Sequence, residues 1–223
     1  MNLLRLDADG VYRARELEKP PWITHGFGTR LSSGWPSVER LATARQLHSN
    51  KVLLTRQPGI AGEGDALISN QPGIQLAIRT ADCLPVLIAD TGNRAVAAVH
   101  AGWRGAVLDI ITKSIEALRH EFGSQPEDLW VAIGPGIGAC CFEVGPEVAA
   151  QFSPIFPERG DLAQRTKVDL AETITRQLRR NGVTGSQIVR AGLCTRCDAK
   201  WFESYRRDRE AAGRMVSAIG IQR

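Results

Sequence analysis

One strand-to-helix corner organises the chain, and it reads Val99-His100-Ala101-Gly102-Trp103-Arg104-Gly105. An unbroken apolar run precedes the corner and predicts a buried strand, and an amphipathic stretch that predicts a helix follows it. Active-site groups are often found at such corners, because the scaffold is rigid and the helix end offers unpaired N–H donors to anions. The corner therefore predicts either a functional histidine beside the cation of Arg104, or a histidine that only caps a strand beside a packing tryptophan.

The rest of the chain predicts an α+β fold with mixed sheets in a single domain, residues 1–223. Strands are predicted at 51–55, 65–68, 75–79, 84–89, 94–100, 129–133, 187–192 and 215–221. Helices are predicted at 37–46, 105–122 and 169–182, and a loop at 58–64. Short strands in quick succession, with helices in separate blocks, favour this class over a doubly wound parallel sheet.

The composition is that of an ordinary globular protein, and its basic residues favour a small anionic ligand. Hydrophobic residues make up 43% of the 223 residues and charged residues 23%, which is ordinary for a globular protein. The longest apolar run, 83–89, is far shorter than the roughly 20 residues of a membrane span, and the N-terminus is too polar for a signal peptide. We therefore expect a cytoplasmic protein without a membrane partner. The net charge of +4 rests on scattered arginines, which favours a phosphate or carboxylate ligand over nucleic acid.

Three side chains at predicted strand termini offer metal-binding or nucleophilic chemistry: His48, Cys83 and His100. Two imidazoles and a thiolate would make a three-ligand zinc site with a fourth position open for water or substrate. Their spacing of 35 and 17 residues matches no local metal motif. A Cys83–His100 nucleophile and base, with Asp82 as a possible orienting group, would instead serve acyl transfer. Local sequence leaves both interpretations open, whereas His25 is predicted to be structural and His120 to face solvent.

The other four cysteines have no clear assignment from the sequence. Five cysteines in a reducing compartment argue against a disulfide framework. Cys194 and Cys197 form a Cys-x-x-Cys pair, and Cys140 with Cys141 could complete a four-thiolate site. Adjacent cysteines seldom chelate one tetrahedral ion well, so buried thiols are the favoured interpretation.

Several motifs in a fixed order resemble a known family. They are Thr80-Ala81-Asp82-Cys83-Leu84-Pro85-Val86, the corner at 99–105, Ile133-Gly134-Pro135-Gly136-Ile137, Phe142-Glu143-Val144-Gly145, Cys194-Thr195 and Phe202-Glu203-Ser204-Tyr205-Arg206-Arg207-Asp208. Over about residues 24–221 the chain resembles the YfiH family, also called multicopper polyphenol oxidase or laccase domain proteins. The resemblance implies an α+β fold with mixed sheets sandwiched between helical layers.

The resemblance also implies a site and a reaction. Its metal ligands fall on His48, Cys83 and His100, with zinc as the metal and copper possible from the older family label. A Phe-x-Thr-Arg motif makes Arg30 the expected phosphate clamp and a catalytic residue, helped by Arg104, and Glu143 becomes a candidate purine contact. The implied reactions are phosphorolysis of adenosine, inosine, guanosine and S-methyl-5′-thioadenosine, and deamination of adenosine.

Two observations limit what the resemblance implies. Four histidines cannot hold the several coppers of a laccase, so we do not expect that activity. The segment from Arg30 to His48 spans only eighteen residues, shorter than is usual in the family, and Ser49 replaces a glycine; both predict a shorter wall of the substrate pocket. The fold is shared with toxins that deamidate glutamine, which keeps an alternative: a Cys83–His100 hydrolase acting on a peptidoglycan precursor or another small amide.

Overall fold

Within residues 4–223, which the computed structural model describes, the chain forms fifteen strands and six α-helices. The strands are β1 (Leu4–Leu6), β2 (Val11–Ala14), β3 (Ile23–Gly28), β4 (Leu41–Arg45), β5 (Val52–Leu54), β6 (Gly59–Glu63), β7 (Ala66–Ser69), β8 (Gln75–Thr80), β9 (Leu84–Asp90), β10 (Ala95–Ala101), β11 (Leu129–Ile133), β12 (Glu143–Val144), β13 (Thr166–Lys167), β14 (Ile188–Arg190) and β15 (Met215–Ile221). The helices are α1 (Arg15–Glu18), α2 (Trp103–Val107), α3 (Ile110–Phe122), α4 (Pro146–Ala149), α5 (Leu170–Arg180) and α6 (Tyr205–Asp208). None of these helices is long and apolar enough to cross a bilayer.

Two large mixed sheets form the body of the protein, as the α+β prediction requires. The first has seven strands in the order β1-β2-β3-β15-β8-β4-β6, and the second has six in the order β14-β11-β9-β10-β7-β5. Most neighbours are antiparallel, but β4 runs parallel to β8 and β6, β5 to β7, and β11 to β14. Strands β12 and β13 form a small separate pair.

Strands β9 and β10 lie at the centre of the six-stranded sheet and are buried on both faces. Every residue of both strands is buried, which explains why they read as continuous apolar runs rather than as an alternating pattern. On one face, side chains such as Val86 and Val99 pack with Ile111 of α3 and Ile174 of α5. On the other face, side chains such as Leu87 pack against the seven-stranded sheet. The two faces therefore belong to two separate cores.

Two local predictions are wrong. Residues 37–46 were expected to be helical, but they form a short 3₁₀ turn followed by β4, which pairs with β8 and β6. Residues 58–64 were expected to be a loop, but 59–63 form β6 at the edge of the sheet. Strand β4 is fixed by its pairing with β8 and β6, and β6 by its pairing with β4 at the edge of the sheet. Local sequence patterns do not reveal such pairing, because strand propensity depends strongly on context.

The predicted helix at 105–122 is broken into two. Helix α2 ends at Val107 and α3 begins at Ile110, with Asp109 between them in the left-handed conformation at φ 61°. The Asp109 carboxylate forms an ion pair with Arg180 of α5, which ties the break to the neighbouring helix. The predicted end at Gly123 is confirmed. The apolar periodicity continues through the break, so the sequence pattern could not reveal that the helix is divided.

His25 and His120 occupy the places that their sequence context predicts. His120 is solvent-exposed, with 84% of its side-chain surface accessible. His25 is buried in β3, and its Nε2 accepts the Ala14 backbone N–H at 2.9 Å, so Nε2 carries no proton. Burial lowers the pKa of His25 to about 4, against an opposing effect of Glu18 and a supporting effect of Arg13.

This shift predicts an acid-sensitive contribution to stability. The unfolded chain binds a proton at His25 near pH 6.5, whereas the folded protein does so only near pH 4, so stability falls as the pH drops through this window. Between pH 7.5 and pH 4 we expect the free energy of unfolding of the wild type to fall by about 3 kcal/mol more than that of His25→Gln. Denaturant unfolding at both pH values measures this, with His120→Gln as the control. Equal losses in wild type and His25→Gln would contradict it.

A candidate metal centre in a basic cavity

Three chain segments bring the predicted ligands together. His48 lies in the turn between β4 and β5, Cys83 lies just before β9, and His100 lies near the end of β10. Their donor atoms all lie within 4.8 Å of one another. Cys83 Sγ lies 3.9 Å from His48 Nε2, and the two imidazole rings meet edge-on with centroids 4.8 Å apart. The structure therefore places side by side three residues that the sequence separates by 35 and 17 positions.

Asp65 holds the centre in place, and the sequence analysis missed it. This fully buried carboxylate lies at the start of β7, where the antiparallel pairing with β10 sets it beside His100. Its Oδ1 lies 2.8 Å from His100 Nδ1, which leaves His100 Nε2 free to face the cluster. A carboxylate on the far nitrogen of a ligating histidine is a common partner in metal sites, because it fixes the orientation of the ring.

The same carboxylate also shapes the His48 turn. It accepts three consecutive backbone N–H groups, from Leu47, His48 and Ser49, and the Ser49 hydroxyl. These bonds hold His48 in the left-handed conformation at φ 61°, which is unusual for a residue other than glycine. One buried side chain thus positions two of the three ligands.

Gly102 lets the corner approach the cluster. A Cβ atom there would lie 2.9 Å from Cys83 Sγ, closer than real side chains approach, and 3.1 Å from His48 Cδ2, which is an unusually tight contact. The glycine that the sequence marked as part of a tight turn is therefore required by the packing of the ligands.

The cluster favours a thiolate at Cys83. Burial opposes ionisation of the thiol, but hydrogen bonds from His100 and His48 outweigh it and lower the pKa of Cys83 to about 6. Burial likewise opposes the charged form of His100, but Asp65 and Cys83 outweigh it and raise its pKa to about 9. The pKa of Asp65 lies well below its usual range because the hydrogen bonds from His100 and Ser49 outweigh burial. Because a ligating histidine must be neutral, a cation bound here would take the place of the proton that His100 otherwise carries, beside the thiolate of Cys83.

The donor set fits a metal ion such as zinc. Two imidazole nitrogens and one thiolate are typical zinc ligands, and at bond lengths of about 2.0–2.3 Å a tetrahedral site separates such donors by roughly 3.6 Å. The 3.9 Å between Cys83 Sγ and His48 Nε2 is close to that value. Three protein ligands leave a fourth position free, which distinguishes a catalytic site from a closed structural one.

The three ligands line a cavity of about 790 Å³ that is strongly basic. Its wall includes five arginines: Arg79, Arg104, Arg206, Arg209 and Arg214. Within residues 4–223 none of the five forms an ion pair with a carboxylate. Aromatic side chains from three separate segments, Trp103, Phe142 and Tyr205, complete the lining. The cavity is large enough for a nucleoside and an anion together.

The other sequence-predicted site residues divide between the cavity and its surroundings. Arg104 lines the cavity, with its guanidinium over the Trp103 ring at 4.6 Å. Arg30 is not part of the lining; its Nε lies 3.4 Å from Glu203, and it donates to the Ala199 carbonyl. Glu143 is exposed outside the cavity and pairs with Arg165 at 3.3 Å.

Asp82 does not orient a histidine. Its carboxylate accepts the Thr195 hydroxyl and the Arg206 backbone N–H, each at 2.6 Å, and so joins the turn before Cys83 to the C-terminal segment. The orienting role that the hydrolase hypothesis gave to Asp82 is therefore wrong, and Asp65 is the carboxylate in contact with His100.

The remaining four cysteines are not the buried thiols that the sequence favoured. Cys140 and Cys197 are exposed, and Cys141 and Cys194 are partly exposed. Their sulfur atoms all lie within 4.8 Å of one another. Because Cys140 and Cys141 are adjacent, the sequence did not favour a four-cysteine cluster. In the fold, however, both sulfurs lie close to those of Cys194 and Cys197.

The fold and the site together define an α+β protein with a Cys/His cluster in a basic cavity, and comparisons with known proteins identify its family. The profile of the family described as multi-copper polyphenol oxidoreductase laccase matches residues 29–222. A purine nucleoside phosphorylase of Clostridium acetobutylicum is 36% identical over 188 residues, which cover 83% of this chain and 78% of that protein. The purine nucleoside phosphorylase YfiH of Escherichia coli is 37% identical over 184 residues, covering 79% and 72%. The crystal structure of YlmD from Geobacillus stearothermophilus matches with a TM-score of 0.89 at 26% identity, covering all of both chains.

The chain therefore belongs to this laccase-like family, among proteins named YfiH and YlmD. The family resemblance and the α+β class predicted from the sequence are both confirmed. The laccase description contrasts with the ligands present. Within the described part of the chain, groups of three or more metal-binding side chains occur at the His48 cluster and at the four cysteines, and His25 and His120 belong to neither.

Proposed function

We propose that the protein is a zinc-dependent purine nucleoside phosphorylase. The observation that carries the proposal is the cluster of three candidate ligands, set in a cavity whose five arginines form no ion pair with any carboxylate of residues 4–223. The names of the relatives support a nucleoside-processing enzyme, since several are called purine nucleoside phosphorylase. The substrates are a purine nucleoside and inorganic phosphate.

His48, Cys83 and His100 would hold the metal, and Asp65 would keep His100 and the His48 turn in position. A zinc ion there supplies a Lewis acid at the floor of the cavity. Copper is the other metal that the family description allows, and the imidazole nitrogens suit it as well. The mixed thiolate and imidazole set favours zinc in our proposal.

The arginines would bind phosphate and place it against the ribose. Arg104 stacks on Trp103, and Arg206 lies over Phe142 at 5.6 Å while donating to the Glu143 carbonyl at 2.8 Å. These contacts hold the guanidinium groups in place without neutralising their charge. Phosphorolysis breaks the bond between ribose C1′ and the purine nitrogen and forms a bond from C1′ to a phosphate oxygen. Fixing the anion near C1′ lowers the barrier by making the encounter intramolecular.

The aromatic lining would bind the purine. Trp103, Phe142 and Tyr205 offer flat apolar surface to a base, and adenosine, inosine, guanosine and S-methyl-5′-thioadenosine all carry one. Adenosine deamination is a second reaction of the same centre in our proposal, because a Lewis acid with an open position suits hydrolytic attack on the ring. All five cysteines are unpaired, which agrees with a reducing compartment such as the cytoplasm.

One assay tests the proposal. The purified protein is incubated with inosine, with and without phosphate, and free hypoxanthine and ribose 1-phosphate are measured. We expect release that requires phosphate, stops after treatment with a strong chelator and returns with added zinc. A parallel reaction with adenosine reports deamination through the appearance of inosine. No release from any purine nucleoside by the zinc-loaded protein would overturn the proposal.

A pair of arginine variants tests the phosphate site. Arg104→Ala is expected to raise the KM for phosphate by about 10- to 100-fold, because a hydrogen bond between charged groups contributes about 1.5–3 kcal/mol. The KM for inosine should change far less. Arg30→Ala is the matched control, since Arg30 is paired with Glu203 outside the cavity. If the KM for phosphate rose strongly in Arg30→Ala and not in Arg104→Ala, Arg30 would be the residue that binds phosphate, as the family resemblance implied.

The hydrolase alternative is not favoured. A thiol hydrolase needs Cys83 and His100 but no second imidazole, whereas His48 is held in an unusual backbone conformation with its Nε2 3.9 Å from the sulfur. The relatives' names also point to phosphorolysis. Hydrolysis of an amide that survives chelation and the loss of His48 would favour the alternative instead.

A further inference from the structure

Four cysteine sulfurs outside the His48 ligand set converge on one another. Cys140 Sγ lies 3.6 Å from Cys141 Sγ and 3.7 Å from Cys197 Sγ, and Cys141 Sγ lies 3.4 Å from Cys197 Sγ. Cys194 Sγ joins them, with all four sulfurs within 4.8 Å of one another. Cys197 is 57 residues from Cys140 and 56 from Cys141 in the sequence, so the fold alone brings the two pairs together.

These separations match a tetrahedral site. Zinc–thiolate bonds of about 2.3 Å place the sulfurs of a four-thiolate site about 3.8 Å apart. The three separations among Cys140, Cys141 and Cys197, 3.4–3.7 Å, are near this edge length and far above the 2.05 Å or so of a disulfide bond. We propose that Cys140, Cys141, Cys194 and Cys197 bind one zinc ion as a second, structural metal site.

The backbone around the sulfurs is shaped for such a site. The Gly138 N–H points at Cys194 Sγ at 3.2 Å, a contact that stabilises a ligating thiolate. A Cβ on Gly138 would lie 3.3 Å from Cys140 Sγ and 3.2 Å from Cys194 Cβ, so a side chain there would crowd the ion. The Gly138 carbonyl accepts the N–H groups of Cys141 and Phe142, and this turn brings both adjacent cysteines to the cluster.

The ion would join two loops that also contact each other through their backbones. One loop, 134–142, follows β11, and the other, 191–198, follows β14. They meet through the Gly136–Cys194 bridge, with Thr195 N donating to the Gly136 carbonyl at 3.0 Å. Four thiolates leave no open position, which is typical of a structural and not a catalytic zinc site.

The joined loops carry one wall of the basic cavity. Ile137 and Phe142 in the first loop line the cavity, and Ile137 N donates to the Asp82 carbonyl at 2.7 Å, one residue before Cys83. Thr195 in the second loop donates its hydroxyl to the Asp82 carboxylate. The cysteine site therefore secures this wall of the cavity without sharing a ligand with the His48 cluster.

Zinc counting in three proteins tests the proposal. The wild type, Cys83→Ser and the double variant Cys194→Ser/Cys197→Ser are purified with reductant and zinc, desalted and analysed by native mass spectrometry. We expect two zinc ions per chain in the wild type and one in each variant. Only one ion in the wild type, lost in Cys83→Ser and retained in the double variant, would overturn the cysteine site. The result does not depend on the proposed reaction, because no substrate is involved.

Alkylation provides a test that needs no variant. In the zinc-loaded wild type, iodoacetamide is expected to leave Cys140, Cys141, Cys194 and Cys197 unmodified despite their exposure, and to modify all four after a strong chelator is added. Peptide mapping identifies the sites, and the intact mass distinguishes disulfides, which lower it by about 2 Da each. Immediate alkylation of all four in the presence of zinc, or disulfides among them in the freshly reduced protein, would overturn the proposal.

Discussion

Replacing His100 with alanine is expected to lower kcat/KM for the phosphorolysis of inosine by about 10³-fold and to remove one zinc ion per chain. A Lewis acid contributes several kcal/mol at the transition state, and each 1.36 kcal/mol corresponds to a tenfold change in rate. The variant also leaves the Asp65 carboxylate without its imidazole partner in a fully buried position. Steady-state kinetics and metal analysis of the same preparation measure both effects.

His120→Ala is the matched control, because it removes an exposed imidazole from the surface of α3. It should keep both the zinc and the activity. Near-wild-type phosphorolysis by a His100→Ala protein shown to lack zinc at this centre would contradict a metal-dependent reaction. Loss of zinc with unchanged unfolding behaviour would separate the chemical effect from a folding defect.

Asp65→Asn is expected to weaken zinc binding by about 10- to 100-fold, although Asp65 is not a ligand. Groups that orient ligating histidines have effects of this size. The asparagine keeps the shape but replaces one acceptor oxygen by an N–H₂ group, and all five partners of Asp65 in this structure are donors or the His100 nitrogen. Competition with a chromogenic chelator measures the affinity, and we also expect a loss of about 2–3 kcal/mol in the free energy of unfolding.

The variant Asp90→Asn separates the effect on zinc affinity from the effect on the free energy of unfolding. Asp90 is also fully buried, at the opposite end of the β9–β10 hairpin, and accepts hydrogen bonds from the Gly92 and Asn93 N–H groups and from the Asn93 side chain. Its replacement should destabilise the protein to a similar degree but leave zinc affinity unchanged. If both variants lost affinity equally, the effect would arise from general destabilisation and not from the positioning of His48 and His100.

The sequence predicts the central strands and the strand-to-helix corner, but it does not predict how the site is assembled. Strands β9 and β10 were predictable because a strand that is buried on both faces has apolar residues at successive positions. Local spacing could not choose between a metal centre and a thiol nucleophile, and only the resemblance joined His48 to Cys83 and His100. Asp65 escaped notice because its function depends on strand pairing, and the local sequence marks it only as the first residue of a predicted strand.

Sequence patterns could not predict the edge strand and the surface ion pairs, for a different reason. Strand β6 has mostly exposed residues and two glycines, so only its pairing with β4 makes it a strand. Arg30 and Glu143 were selected from motifs, but each forms an ion pair outside the cavity, with Glu203 and Arg165 respectively. A motif fixes the residue type, whereas the direction of a long side chain depends on neighbours far away in the chain.

The hairpin of β9 and β10 also decides how a metal ion would enter and leave. Cys83 directly precedes β9 and His100 lies within β10, and both strands are buried on both faces, so hydrogen exchange of their amides should require global unfolding. His48 instead lies in a partly exposed turn held by the Asp65 carboxylate. Opening that turn costs far less than unfolding the hairpin, so ion exchange should proceed by release of His48 first, with Cys83 and His100 as a preformed two-point anchor.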